Sequence, residues 1–270
     1  MTDLICKHLE DGILEIRMNR PSQLNALNPS LIMSLINAFQ NLQNDRQTRV
    51  VILTGEGNGF CAGADMQEPV SPGGIPGTEG MNTLGFVYKF QEHLSNLILA
   101  IHECDKPVIA AIHGAAVGGG LGLALASDIR IASETAKFGA VAIKTGLSAA
   151  DVGTSYFLPR YVGAGIASEL MLTGRIFKAQ EAVDLRLVSK VVPAASLASE
   201  ALQLAQAIAK NSEYGVWMTK KTLRSNLDAS SLRQALEIEN RTQVLGTFTG
   251  AMEAARDAFA KGEAPQWKPL

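Results

Sequence analysis

The pattern that most restricts the fold of this chain is an alternation of short β-type runs with longer helical segments, which stops near residue 192. The β-type runs are rich in Val and Ile and are bounded by turn residues. They are ILEIRM (13–18), VVILTG (50–55), PVIAAI (107–112), DIRIAS (128–133) and LVSKVV (187–192). Strands that alternate with helices predict an α/β core.

The helical segments complete this division of the chain. Residues 28–45 begin near a proline and carry apolar residues at helical spacing, and residues 81–104 resemble a second helix. Beyond Pro193 the sequence consists of successive amphipathic segments separated by polar or glycine breaks. We therefore predict an α/β core with the ligand site over residues 1–192 and a helical region over residues 193–270.

Charge and composition exclude several classes of function. Lys and Arg total 24 against 26 Asp and Glu, so the chain has no excess of positive charge for nucleic acid or an anionic membrane. Its three cysteines form no paired motif, which is typical of a reducing compartment. The most apolar stretch, residues 107–132, is interrupted by His113, glycines and charged residues, so it does not have the pattern of a membrane-spanning helix. We expect a cytoplasmic protein that binds neither nucleic acid nor membrane.

The usual metal and nucleotide motifs are missing or weak. The four histidines are scattered, and none has ligand-type neighbours on both sides, so we predict no metal site. GEGNGFCA (55–62) resembles a dinucleotide fingerprint only loosely, because no acidic residue ends a second strand about twenty residues later. His113 precedes a glycine cluster in an apolar run, and a structural role is the simpler interpretation.

Two glycine-containing turns are the strongest candidates for a site. FCAGAD (60–65) follows the second β-type run, and GGGLG (118–122) follows the third. If these runs are neighbouring strands, both turns open on one edge of the sheet, and two backbone N–H groups can face one oxygen atom. Glycine permits the close approach of a ligand that a side chain would block. The alternative is a pair of tight strand-to-helix turns without a ligand.

A wider set of segments resembles one known family. The two turns, with RPSQLNALN (20–28), SDIRIASETAKFG (127–139), LTGRIFKAQEAVDLRLVSKVV (172–192) and AFAKGEAP (258–265), resemble the enoyl-CoA hydratase/isomerase (crotonase) superfamily from about residue 5 to 267. The resemblance implies an α/β spiral of ββα units with a C-terminal helical trimerisation region. It also implies a homotrimer or dimer of trimers, and an acyl-CoA thioester substrate whose CoA is part of the substrate, with no separate cofactor.

The resemblance also assigns binding residues. The oxyanion donors would be the backbone N–H groups of Ala64 and Gly119. Phe259 matches a C-terminal residue that reaches a neighbouring subunit's CoA, and Lys261 lies one position from the family's usual basic residue. The residues expected to contact CoA are Ala26, Ala62, Ala64, Asp65, Met66, Phe259 and Lys261.

The acids depart from the family pattern. Hydratases of the family use two glutamates, and the matching positions here are Gly122 and Ala142, neither of which can transfer a proton. Asp151, in AADVGT (149–154), is the remaining acid near this region. It could cap the next helix by accepting the N–H of residue 153 or 154. A similar stretch in dienoyl-CoA isomerases carries a catalytic aspartate, which implies that Asp151 is the acid/base.

One carboxylate is enough to remove a proton from a thioester and return it elsewhere. We therefore expect an enzyme of the enoyl-CoA hydratase/isomerase type that favours double-bond isomerisation over two-glutamate hydration. Hydration or C–C hydrolysis of a bulky acyl-CoA and a non-catalytic acyl-CoA-binding role remain alternatives. So does chemistry like that of 4-chlorobenzoyl-CoA dehalogenases, although Ile143 stands where those enzymes have a tryptophan. The Pro/Gly-rich residues 71–80 would leave room for a large acyl group.

Overall fold

The fold contains two sheets and a C-terminal set of helices, in a computed structural model that describes residues 2–10, 12–67, 75–268 and 270. The strands are β1 (Leu4–Glu10), β2 (Ile13–Met18), β3 (Val50–Gly55), β4 (Val108–Ile112), β5 (Ala115–Val117), β6 (Ile129–Ser133), β7 (Lys137–Gly139), β8 (Phe177–Lys178) and β9 (Lys190–Val192). The helices are α1 (Pro29–Asn41), α2 (Thr83–His102), α3 (Gly119–Ala126), α4 (Thr154–Val162), α5 (Ala164–Thr173), α6 (Ala179–Asp184), α7 (Leu197–Ala209), α8 (Glu213–Leu227), α9 (Leu232–Gly246) and α10 (Ala251–Lys261). Each predicted β-type run contains a strand, and both predicted helices are present as α1 and α2.

The larger sheet has the order β1-β2-β3-β4-β6-β9, and the smaller has the order β5-β7-β8. β1 is antiparallel to β2, while β2, β3, β4, β6 and β9 run parallel to one another. Parallel strands with helical crossovers are covered on both faces, which is why β3 and β4 read as nearly continuous apolar runs. This arrangement confirms the predicted α/β core.

Repeated ββα units generate the spiral. In the units β4–β5–α3 and β6–β7–α4, the first strand joins the larger sheet and the second joins the smaller one. The earlier units have only single-residue second strands, since Leu27 bridges Ala64 and Cys61 bridges Ala116. These bridges continue the smaller sheet back along the chain, and the parallel strands β2, β3, β4 and β6 each lead into a turn on the same edge of the larger sheet.

Alternate residues of the strands point to opposite faces of the larger sheet, and buried apolar side chains pack on both faces. Val51 and Leu53 of β3 lie in the cluster that includes α1, α2 and α3, whereas Val50 and Ile52 pack against α7. α1 begins at the N-cap Asn28, whose side chain accepts the N–H of residue 31 at 2.9 Å. The helices therefore cover both sides of the larger sheet.

The last strand of the described chain ends at Val192, as the sequence pattern predicts, and α7–α10 follow. α7 nevertheless packs on the larger sheet. α8 is also tied to the core, because Lys220 and Arg224 both contact the Asp128 carboxylate at 2.7 Å. The domain boundary between residues 192 and 193 stays a prediction. Residues 71–74 of the Pro/Gly-rich segment lie outside the described residues.

Candidate active site

The first glycine-containing turn, residues 60–65, follows β3 and runs beside β5. The Cys61 N–H donates to the carbonyl of Ala115 at 2.8 Å, and the Cys61 carbonyl accepts the N–H of Val117 at 3.1 Å. Because β5 leads into α3, these bonds set the first turn against the start of α3. β3 pairs in parallel with β4, which confirms that the turns after these two strands share one edge of the sheet.

The two turns approach each other closely at Gly63 and Gly119. A Cβ placed on Gly63 would lie 3.2 Å from the backbone nitrogen of Gly119 and 2.9 Å from the carbonyl oxygen of Val117. Gly63 also has φ +89°, a left-handed conformation that other residues adopt with strain. A side chain at this position would therefore push the two turns apart.

The backbone N–H groups of Ala64 and Gly119 are available as donors. Leu27 donates its N–H to the carbonyl of Gly63 at 2.7 Å and accepts the N–H of Asp65 at 3.1 Å, so the intervening Ala64 N–H points away from Leu27. Within the described ranges, neither of the two N–H groups has an acceptor. Preorganised N–H donors on adjacent turns can bind an oxygen atom that gains negative charge during a reaction.

Gly122 lies in the first turn of α3, where its N–H donates to the carbonyl of Gly118 at 3.1 Å. A Cβ on Gly122 would lie 2.6 Å from Cγ2 and 2.8 Å from the carbonyl oxygen of Val152. Val152 is buried and has φ +43°, which is unusual for a β-branched residue. The backbone of Val152 thus occupies the space that a side chain at position 122 would need.

Asp151 directly precedes Val152 and has a half-buried side chain. Its Oδ1 accepts the side-chain amide of Gln91 at 2.5 Å and the N–H of Val152 at 2.9 Å. The N-cap of α4 is Gly153, which has no side-chain cap, and Thr154 donates its N–H to the main-chain carbonyl of Asp151. The capping interpretation of the Asp151 carboxylate is therefore wrong, because the side chain turns away from α4 toward α2.

The segment after β7 closes the other side of α3. Gly118 donates its N–H to the carbonyl of Gly139 at 2.9 Å, and a Cβ on Gly118 would lie 3.6 Å from Cγ2 of Val141. Ala142 follows in a short 3₁₀ turn and is half-buried. Neither position 122 nor position 142 offers a group that can transfer a proton, and Asp151 is the carboxylate next to Val152, the residue that packs on α3.

Arg20 joins the two segments that sequence resemblance assigns to CoA. Its guanidinium donates to the carbonyl of Ala26 at 2.5 Å and forms an ion pair with Asp65 at 2.9 Å. The N–H of Ala62 donates to the carbonyl of Leu24 at 3.0 Å. Arg20 begins the stretch 20–28, but no pattern in the sequence singled it out as a site residue. Arg20 thus links Ala26 to Asp65, while Ala62 is bonded to Leu24 of the same stretch 20–28.

The remaining predicted CoA contacts are exposed. Ala64 is exposed, and the side chain of Met66 is 79% exposed. Phe259, 89% exposed, and Lys261 belong to a different element, α10. Contact of these two residues with the CoA of a neighbouring subunit stays a prediction.

The nearby cysteine and histidine do not add a charged group to the turns. Burial raises the pKa of the Cys61 thiol to about 12, so it is a protonated side chain at neutral pH. Burial also lowers the pKa of His113, whose Nε2 lies 3.1 Å from the carbonyl of Gly57. Among the described residues, no three His, Cys, Asp or Glu side chains are grouped for a metal, and no helix has the length and apolar character to cross a bilayer.

Comparison with known proteins gives the family. The sequence profile described as Enoyl-CoA hydratase/isomerase matches residues 8–269. The probable enoyl-CoA hydratase EchA12 of Mycobacterium tuberculosis is 39% identical, over 97% of this chain and 91% of the relative.

Two further proteins are similar over nearly their whole lengths. The 1,2-epoxyphenylacetyl-CoA isomerase of Escherichia coli is 32% identical, covering 99% of both chains. The crystal structure of a probable enoyl-CoA hydratase/isomerase from Mycobacterium abscessus superposes with a TM-score of 0.91 at 35% identity, covering 99% of both chains. The crotonase-like fold is confirmed, and this chain belongs to the enoyl-CoA hydratase/isomerase family of acyl-CoA enzymes.

Proposed function

We propose that this enzyme isomerises a double bond in an acyl-CoA thioester through an enolate. The backbone N–H groups of Ala64 and Gly119 bind the thioester oxygen, and Asp151 moves the proton. The observation that carries the proposal is the contact of Val152, the residue after Asp151, with Gly122, which lies three residues after Gly119 in α3. Three residues of helix rise about 4.5 Å. Because Asp151 directly precedes Val152, this contact supports a carboxylate close to the donors that would stabilise the developing charge.

The reaction needs one carboxylate. Asp151 takes a proton from a carbon that is acidified by the thioester, and the electron pair left on that carbon is delocalised onto the thioester oxygen. The two N–H donors stabilise this oxyanion, and such a donor contributes roughly 3–4 kcal/mol in well-characterised hydrolases. The protonated Asp151 then returns the proton to a different carbon, and the double bond has moved.

Hydration is less well supported by the same residues. Addition of water needs a base that activates the water and an acid that protonates the α-carbon. Positions 122 and 142, where hydratases of the family carry glutamates, are Gly and Ala here. Relatives named as hydratases and a relative named as an isomerase are both similar to this chain, so their names do not decide the reaction.

CoA binding and assembly complete the proposal. The segments around Ala26 and residues 62–66, joined by Arg20, bind the CoA part of the substrate. Phe259 and Lys261 of α10 contact the CoA of a neighbouring subunit in a homotrimer or a dimer of trimers. Because the carboxylate and the N–H donors are sufficient for the proton transfer, the reaction uses no cofactor apart from the substrate's own CoA.

Hydrogen exchange tests the chemistry directly. Crotonyl-CoA and a 3-enoyl-CoA are incubated in deuterated water with wild type and with Asp151→Asn, and deuterium uptake and double-bond position are followed by mass spectrometry. We expect deuterium uptake and double-bond migration in wild type. In the variant both rates should fall by at least about 100-fold, because a general acid/base typically contributes about 10²- to 10⁴-fold to the rate.

A matched control is available on α6. Asp184 is exposed and accepts the amide of Gln180 at 3.0 Å, so Asp184→Asn removes a similarly bonded carboxylate away from the turns. We expect Asp184→Asn to retain wild-type exchange. Exchange and migration at wild-type rates in Asp151→Asn would remove Asp151 as the base, and water addition without migration in wild type would replace isomerisation by hydration.

A further inference from the structure

We propose that Gln91 is a positioning residue that holds the Asp151 carboxylate so that Oδ2 is the oxygen that transfers the proton. This inference rests on the proposed function, because it assigns the two oxygens of the proposed base. Gln91 lies in the middle of α2, and Asp151 lies sixty residues later in the loop before α4. Only the fold brings them together.

Both hydrogen bonds to the carboxylate fall on the same oxygen. Oδ1 accepts the Gln91 amide at 2.5 Å and the Val152 N–H at 2.9 Å. Over the described part of the chain, no group donates to Oδ2. Oδ1 is therefore occupied by two donors, and the lone pairs of Oδ2 are free to accept a proton from a substrate carbon.

The Val152 contact alone leaves the carboxylate free to rotate. An N–H from the adjacent residue fixes the distance of Oδ1 but not the plane of the carboxylate, since a carboxylate is only loosely restrained about its terminal torsion. The second donor comes from α2, a separate element, and fixes that plane. Val152 is itself held at φ +43° against Gly122, so the carboxylate is anchored from two directions.

A glutamine is suited to this role because its amide donates a hydrogen bond without adding charge. A lysine or arginine at position 91 would form an ion pair with Asp151, stabilise the ionised carboxylate and weaken it as a base. A neutral amide orients Oδ1 while the carboxylate remains able to take up a proton on Oδ2. In the forward step the proton moves from substrate carbon to Oδ2, and in the return step it moves from Oδ2 to the second carbon.

The test is the Gln91→Leu variant, which removes the donor at nearly constant volume. Loss of orientation at the reacting atom should lower kcat for 3-enoyl-CoA isomerisation about 10- to 100-fold, since a misplacement of 1 Å can cost 10²-fold. KM should stay within about threefold, because the CoA contacts are made elsewhere. Gln180→Leu, which removes the matching amide from Asp184, should leave kcat unchanged.

A double variant separates positioning from a structural role. In the Asp151→Asn background, Gln91→Leu should cause no further loss in the slow residual deuterium exchange, because the group on which Gln91 acts is already gone. The proposal would be overturned if Gln91→Leu lowered the exchange rate of Asp151→Asn by the same factor as it lowers the rate of wild type. It would also be overturned if Gln91→Leu alone kept the wild-type kcat. Those results would leave the proposed function intact, whereas full activity of Asp151→Asn would overturn the proposed function itself. If Gln91→Leu does not fold, Gln91→Met serves in the same comparison.

Discussion

The carbonyl oxygen of Val152 lies 2.8 Å from the point that a Cβ on Gly122 would occupy, so the loop before α4 and the first turn of α3 are packed backbone to backbone. Real Cβ atoms do not approach an oxygen this closely, and the obstacle is main chain that cannot rotate away. The fold therefore excludes a glutamate at position 122 and holds Asp151 close to that position instead.

The first prediction is that Gly122→Ala destabilises the protein. The added methyl group must displace the Val152 backbone, and overpacking of this kind typically costs about 1–3 kcal/mol. We expect the free energy of unfolding in urea to fall by that amount. Turnover should fall with it, because Asp151 precedes the displaced residue.

Gly165→Ala is the matched control, since Gly165 also lies in a helix but a Cβ there would meet nothing within 4 Å. This change should be neutral or stabilise the protein by up to about 1 kcal/mol. If Gly122→Ala and Gly165→Ala are equally stable, the backbone contact does not restrict position 122.

The second prediction concerns the approach of the two turns. Gly63→Ala would place a methyl group 3.2 Å from the backbone nitrogen of Gly119 and strain a backbone held at φ +89°. Displacement of one oxyanion donor should lower kcat about 10²- to 10³-fold. Steady-state kinetics with a 3-enoyl-CoA measure this change.

Gly250→Ala separates backbone strain from crowding. Gly250 has φ +74°, but no atom lies within 4 Å of a Cβ built on it. We expect this variant to lose about 1 kcal/mol of stability and to keep its kcat. A comparable loss of kcat in both variants would show that strain, and not the contact between the turns, is responsible.

The third prediction tests the link between the core and the C-terminal helices. Asp128 pairs with Lys220 and Arg224 at 2.7 Å, and the Lys220 side chain is only 6% exposed. Burial lowers the pKa of Lys220 despite the attraction of Asp128. Asp128→Asn leaves two cations facing each other, and uncompensated charges of this kind typically cost about 3–5 kcal/mol.

Asp228→Asn is the control for this pair. Asp228 is paired with Arg160, but both side chains are substantially exposed, at 52% and 41%. An exposed pair contributes about 0–1 kcal/mol. The free energy of unfolding in urea should therefore fall by several kcal/mol more in Asp128→Asn than in Asp228→Asn. Equal losses in the two variants would show that the ion pairs of Asp128 stabilise the protein no more than an exposed pair does.

The regular parts of the fold were predictable because they depend on local patterns. The runs that became β2 and β3 match the strand limits in the structure, and the alternation of strands and helices was sufficient for the α/β core. The edge strand β1 was not predicted, because its residues are mostly exposed and show no clear alternation. The short strands β5 and β8 were not predicted either, since two or three residues carry no periodic signal. Their pairing depends on contacts between distant segments.

The residues of the candidate site were likewise predictable only in part. The two turns and Asp151 could be selected from glycines, an acid and a resemblance, all of which are visible in the sequence. Gln91 and Arg20 could not, because their roles depend on partners that only the fold brings close. Val152 gave no signal either, since its left-handed backbone is imposed by the packing of the loop against α3.

The fourth prediction is a loss of stability below neutral pH through His102. Burial is the main cause that lowers the pKa of His102 to about 4, and the nearby Arg224 acts in the same direction. The ring also packs edge-on against Phe157, with centroids 5.0 Å apart. The folded protein therefore keeps this imidazole neutral, while the unfolded chain protonates it below about pH 6.5.

Because the unfolded state binds the proton first, stability must fall as the pH decreases from about 6.5 to 4. The slope for one proton is at most about 1.4 kcal/mol per pH unit, and partial solvent exposure of the ring reduces it. His102→Gln should flatten this part of the profile when the free energy of unfolding is measured from pH 7 to pH 4. His8→Gln changes an exposed histidine of β1 and should leave the slope as in wild type. Identical profiles for wild type and His102→Gln would mean that the ring is protonated equally well in the folded and unfolded states, and the acid sensitivity would then have to come from the carboxylates.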